Sequence, residues 1–201
     1  MKKLFLALML MLPLLTTAKN PVSAKYLKGG VPEENGIIVF QKSFSVPSMT
    51  TEKIYTTLYN YINKVVIEPA IHEQRTRILS DGKEDGIIVA RVEEYMTFRH
   101  VFLNLDRTRF IYQLLAQVEG NKINLKISQI SYYYNEDREG NGGITYKAEE
   151  WISDAEALNK KGTKLYPRSG KFRIKTIDRV EDIFQNCMDA FEEGRKNVVE
   201  N

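Results

Sequence analysis

RTRFIYQLLAQVEGNKINLKISQISYYYN, residues 107–135, is the stretch whose reading decides the fold. Two runs rich in β-branched and aromatic residues flank Gly120-Asn121. Gly at the first loop position predicts a two-residue hairpin of type II′. The register follows by counting outward: Glu119 faces Lys122, then Val118 faces Ile123, Ala116 faces Leu125 and Leu114 faces Ile127. These three apolar pairs share one face, while Gln117/Asn124 and Gln113/Ser128 fall on the other, polar one. A slip of one residue would mix the two sets, so the pattern and the turn select the same register. Beyond Ile127 the apolar phase jumps to Ile130, Tyr132 and Tyr134. Such a phase change at Ser128-Gln129 predicts a β-bulge, and bulges bend a sheet. A curved antiparallel sheet is the expected shape, and one of its faces needs cover.

Two apolar stripes at helical spacing can supply that cover. Ile54, Leu58, Tyr61, Ile62 and Val65 form the first, with residues 48–51 offering caps and Pro69 closing the segment. Ile177, Val180, Phe184, Cys187 and Phe191 form the second, with Thr176 as the expected cap and Gly194 as the expected end. Residues 37–46 alternate as a half-buried strand, residues 70–79 read as a polar strand, and a turn is expected at Asp81-Gly82. GIIVARVEEYMTF, residues 86–98, reads as another strand, with Ala90, Val92, Met96 and Phe98 opposed to Arg91, Glu93, Tyr95 and Thr97. Glu94 breaks its apolar register, which points to a bulge or an edge position. The whole reads as α+β, with two main helices on one face of the sheet.

Residues 1–18 read as a signal peptide: Lys2 and Lys3, an apolar run over 4–15, then Thr16-Thr17-Ala18, with an alternative cleavage after Ala24. The apolar run is shorter than the roughly 20 residues of a spanning helix. No Cys lies near either cleavage site, so the expected product is periplasmic or secreted, without a lipid anchor and not membrane-spanning. Cleavage removes the two charges of Lys2 and Lys3 and lowers the net charge from +3 to +1. A nearly neutral domain lacks the basic footprint of a nucleic-acid binder, so no nucleic-acid partner is expected. Residues 19–36, rich in Pro, Gly and Lys, read as a flexible lead-in, 37–193 as one domain and 194–201 as a tail. The single cysteine, Cys187, excludes an internal disulfide and reads as a buried structural thiol on the second stripe.

Ser153-Asp154-Ala155-Glu156 has the form of a capping box opening a short helical turn. Lys160, Lys161, Lys164, Arg168, Lys171, Arg173 and Lys175 then make residues 160–175 the most basic part of the chain. A solvated loop and an anion-contacting surface are both open readings of that segment. The run YKAEEWISDAEALNKKGTKLYPRSGKFRIKTID, residues 146–178, resembles a family of exported bacterial proteins, the domain of unknown function numbered 4468. GIIVARVEEY (86–95), LDRTRFIYQL (105–114) and VPEENGIIVFQKSFSVP (31–47) resemble it too. The resemblance implies a fold like that of the TATA-box-binding protein, a curved sheet with helices on one face. It implies no activity and no site residue, and a fold name does not carry function.

Chemical motifs are few. His72-Glu73 lacks the second histidine of a zinc-protease helix. Ser80-x-x-Lys83 falls in an expected turn rather than at a helix start. Asn135, Asp137, Glu139 and Gly140 imitate part of a calcium loop, but Tyr146 stands where a bidentate Glu is required and Arg138 adds positive charge. No catalytic residue, metal site or cofactor is therefore assigned. What remains is the polar sheet face: Arg91, Glu93, Tyr95, Arg109, Gln113, Gln117 and Lys126 form the candidate binding face. The expected function is a non-enzymatic binding or interaction module of the cell envelope, meeting an unidentified protein or glycan. The alternatives are an enzyme with a site assembled from distant residues and a structural part of an envelope assembly.

Overall fold

The computed structural model describes residues 22–47, 49–69, 74–102, 104–136 and 142–199. The residues of the leader, His72-Glu73 and most of the calcium-like loop lie outside that set. The central hairpin is formed by β6 (Asn104–Glu119) and β7 (Lys122–Tyr134). Its pairs are those counted from the turn, from Glu119↔Lys122 to Gln113↔Ser128. Gly120 has φ +61, and Asn121 is not left-handed, which is the combination a type II′ turn needs.

The expected bulge is present. Gln113 pairs with Ser128 but Ile111 pairs with Ser131, so Gln129 and Ile130 together oppose Tyr112. Gln129 takes φ +53 there. The bend divides the free edge of β7 between two strands: β3 (Phe40–Ser45) pairs with it before the bulge and β8 (Ile144–Lys147) after it. On the other side of the hairpin lie β5 (Ile87–Val101) and then the edge strand β4 (Arg77–Gly82), giving the order β3-β7-β6-β5-β4. The turn expected at Asp81-Gly82 lies further on. Those two residues still pair with Ile88 and Ile87, and residues 83–86 make the connection. Strand 37–46 is split into β2 (Ile37–Ile38), which pairs with β1 (Glu33–Glu34), and β3.

One face of the sheet carries the core. Ile88, Ala90 and Val92 of β5, Phe110 and Leu114 of β6, and Ile123, Leu125 and Ile127 of β7 are at most 2% exposed. Helix α1 (Thr51–Tyr61) packs on it through Ile54 and Leu58, capped by Thr50, whose hydroxyl accepts from the Lys53 N–H. The helix then widens into a π-helical segment, Ile62–Ile67. Val66 is fully buried there, and the side chain of Val65 lies outside the described set.

Helix α3 corrects the expectation for the second stripe. It runs from Pro167 to Val199, starting well before Thr176 and passing through Gly194. Pro167 suits a first helical position, where no N–H bond is lost. Gly170 in the first turn is a matter of space, since a Cβ there would meet Leu165 Cβ at 2.9 Å. Thr176 is no cap but a buried mid-helix residue whose hydroxyl lies 2.7 Å from the Tyr132 hydroxyl. Cys187 is fully buried on the apolar stripe, and burial pushes its thiol up to about 12.

The basic segment is divided: Lys160, Lys161, Lys164, Arg168 and Lys175 are exposed, whereas Lys171 and Arg173 are tied into the body. The fully buried Arg173 donates to the carbonyls of Tyr26, Leu27 and Ile152 and to Asp154. Lys171 is tied to Asp106 at 2.6 Å. Asp154 opens the short helix α2 (Asp154–Ala157), whose Ser153 makes no capping bond, so the capping box is not formed. Through Arg173 the lead-in is docked rather than loose. Lys25 adds ion pairs to Asp178 and Glu181, and the Gly29 N–H donates to Asp154.

The two faces of β6 make a direct test of this register. Leu114→Ala empties core volume and is expected to cost about 2–5 kcal/mol. Gln113→Ala, half-buried on the opposite face, is expected to stay within about 0.5 kcal/mol. Equal costs in urea melts would show the faces to be misassigned.

Candidate functional site

All seven residues of the sequence-derived binding face stand on the side of the sheet away from α1 and α3. Tyr95 lies opposite Arg109 and Arg91 opposite Gln113, while Gln117 pairs with Ile87 and Lys126 with Leu115. Their chemical states differ, however. Arg91, Gln113, Gln117 and Lys126 are half-buried side chains of the kind a sheet face presents to a partner. Glu93 is not: it is 2% exposed although it points to the open side. The Thr76 hydroxyl, just before β4, donates to the Glu93 carbonyl and accepts from its N–H, which lays that segment over the strand.

Arg109 donates to Glu93 Oε1 at 3.2 Å and forms an ion pair with Glu136. Burial opposes the Arg109 charge, but the bonds to Glu93 and Glu136 outweigh it and drive its pKa up. Arg91 approaches Glu93 at 3.8 Å. Arg107 lies over the Tyr95 ring at 3.9 Å, and Arg109 flanks the rings of Tyr95 and Tyr133. Glu93, Arg109 and Tyr95 are thus committed to a charge and aromatic cluster that rigidifies one end of the face. Sequence reasoning missed the rest of this cluster, Arg107, Tyr133 and Glu136. Alternation along β6 and β7 places the first two on this face, but nothing local marks the reach of Glu136.

The open face also holds apolar groups. Ile87, Val89 and Leu115 adjoin one another across β5 and β6, with Ile111 further along, and all are half-buried. They lie among Arg91, Gln113, Gln117 and Lys126. The odd-numbered register of β6 shows Ile111 and Leu115 in the sequence itself, but attention to the polar pairs hides them.

Residues 40–133 match the family model for a domain of unknown function (DUF4468) with TBP-like fold. The chain is also similar to a crystal structure of a DUF4468 family protein from Bacteroides ovatus ATCC 8483. The two are 35% identical, with a TM-score of 0.75, over 83% of this chain and 93% of that one. The chain belongs to the DUF4468 family. The fold is shared with a TBP-like protein from Parabacteroides distasonis ATCC 8503, at 19% identity and TM-score 0.65 over 81% of this chain and 97% of that one. No curated protein matches the chain. The run 146–178 lies beyond the family-model match, although the crystal-structure likeness extends over more of the chain.

On the helix side of this DUF4468 chain, a cleft of about 250 Å³ runs between β5 and α3, lined by Glu94, Lys175, Asp178, Arg179 and Asp182. Its buried carboxylate, Glu94, is held by two bonds from Arg179, at 2.8 and 2.9 Å. The sequence made Glu94 a bulge or an edge residue. It is an edge residue and not a bulge: β4 accompanies β5 only as far as Arg91, so among the described residues β6 alone flanks the strand there, and Glu94 pairs in register with Phe110. Ser80 lies on the edge strand and Lys83 in the turn, bound to Glu52, so their spacing marks no penicillin-recognising helix. His100 is exposed near the end of β5. Among the described residues no three His, Cys, Asp or Glu side chains gather as metal ligands, and no helix is long and apolar enough to cross a membrane.

Proposed function

We propose that this DUF4468 protein is an exported, non-enzymatic interaction module of the cell envelope whose open sheet face receives a partner. The apolar group Ile87, Val89 and Leu115 carries the reading, because it sits on the uncovered face amid Arg91, Gln113, Gln117 and Lys126. A face that only met water would gain nothing from aliphatic side chains there. An apolar centre with long polar side chains around it is the anatomy of a protein interface. A protein fits better than a glycan, since sugars favour exposed aromatic planes and Tyr95 is covered by Arg107. The leader over residues 1–18 supports export.

The test is site-specific crosslinking in cells. A photoreactive residue in place of Gln117, on the open face, is expected to trap one defined envelope protein. The same residue in place of Gln185, exposed on α3, is expected to trap none. Lys126→Glu, with no ion pair of its own among the described residues, should weaken the adduct and leave the melting temperature nearly unchanged. Equal trapping from both positions, or none from Gln117, would overturn the reading, as would a mature N-terminus other than Lys19 or Lys25 for the export step.

A further inference from the structure

The β5–β6 hairpin outgrows its sheet. β4 accompanies β5 only as far as Arg91, and β7 accompanies β6 only from Thr108 onward. Among the described residues, those of 97–107 therefore pair only with each other, through Thr97↔Arg107, Arg99↔Asp106, His100↔Leu105 and Val101↔Asn104. Phe98 roots this arm on α3, its ring 4.5 Å from that of Phe172. Past that point the arm exposes apolar groups: Phe102 is 92% exposed, Leu105 47% and Val101 43%.

The loop chemistry adds an independent sign. The turn that follows Val101 opens on Phe102. Two-residue hairpin loops favour Asn, Asp and Gly, because their turns need left-handed backbone. A phenylalanine works against turn formation, and local rules are broken in this way chiefly at functional sites. Charge gives the third observation. The only carboxylate of the arm, Asp106, is drawn back to the body by Lys171 at 2.6 Å and the Tyr134 hydroxyl at 2.7 Å. Arg99 and His100 remain exposed beside the apolar tip.

We propose that this tip is a membrane-docking element: Phe102 and its apolar neighbours enter the interfacial layer of a bilayer, and Arg99 and His100 meet anionic headgroups. Exposed apolar groups bordered by cations suit that layer, where hydrocarbon lies just beneath negative phosphate. A second copy is a poorer occupant, since a tip-to-tip contact would bring the exposed cations of two arms together. The inference does not rest on the open-face reading, because the tip lies at the far end of β5 and β6, past the stretch of those strands that carries the seven residues.

Residues 4–15 are themselves apolar, so the readout has to be local to the tip. Phe102→Trp in a Trp151→Phe background leaves one indole, at the arm's end. With phosphatidylcholine vesicles containing phosphatidylglycerol, its emission is expected to shift to the blue and to be quenched by brominated acyl chains. Phosphatidylcholine alone should give much less of either. Arg99→Glu is expected to raise the lipid concentration at half effect by about fivefold or more. The proposal is overturned by emission that lipid leaves unchanged, or by an equal response to both vesicle types. A blue shift that grows with protein concentration in the absence of lipid also overturns it, since the occupant is then a second copy.

Discussion

Arg173→Ala is expected to lower the unfolding free energy by about 3–5 kcal/mol in urea melts, the cost of breaking a buried charged network. The guanidinium is fully buried and spans three carbonyls, those of Tyr26, Leu27 and Ile152, as well as Asp154. Truncation strands these acceptors, and a buried polar group without its partner costs about 1–3 kcal/mol. Arg173→Lys should recover less than half of the loss. A single ammonium is a point donor and cannot reproduce the planar fork that reaches three directions at once. Because two of the acceptors belong to residues 26–27, the Ala variant should also release the lead-in. Limited proteolysis is expected to cut it within residues 22–30 while the sheet stays intact. A cost under about 1 kcal/mol would mean that water replaces the network and that Arg173 does not hold the lead-in down.

The second large effect belongs to Glu94 and Arg179. Glu94 is 2% exposed on the helix-covered face of β5, and its charge is tolerated because Arg179 grips both oxygens. Burial works against the Arg179 charge, but the bonds it donates to Glu94 prevail and push its pKa up. Arg179→Met leaves a buried carboxylate without its cation and is expected to cost about 3 kcal/mol at pH 7, near the low end for a buried pair because the Arg side chain is partly open to water. Adding Glu94→Leu should return the chain to within about 1 kcal/mol of the parent, since a well-packed apolar pair often matches a buried ion pair. The single variant should also be sensitive to pH. Without Arg179, burial raises the folded-state pKa of Glu94 above its unfolded value of about 4.3. Protonated Glu94 is then the form the fold prefers, so stability is fully present below about pH 4.3 and is lost as pH rises through the raised value. Urea melts of Arg179→Met that show no recovery on acidification, or a double variant as unstable as the single one, would contradict this account.

The sequence by itself determined the hairpin, its register and its bulge. Those features rest on neighbours in the chain: the Gly120 turn fixes the count, and alternation along β6 and β7 fixes the faces. The jump from Ile127 to Ile130 was visible for the same reason, because a bulge leaves its mark on the strand that carries it. The seven residues of the open face were legible too, as the register that buries Leu114 turns Gln113 outward. Tertiary structure alone decided which of them are available. Glu93 reads from sequence as a surface acid, yet its burial depends on Thr76 and Arg109, 17 and 16 residues away. Glu94 looked like a flaw in a strand because the Arg that balances it lies 85 residues along the chain. Arg173 looked like one of many cations in a solvated segment, while two of its three carbonyl partners are 146 and 147 residues away, in a lead-in without periodicity of its own. Periodicity records which side of an element meets the core. It does not record which distant polar group arrives to satisfy a buried charge, because that depends on how the helices cross the sheet. The docked lead-in, the early start of α3 and the charged clusters at both faces were therefore decided only when the chain had folded.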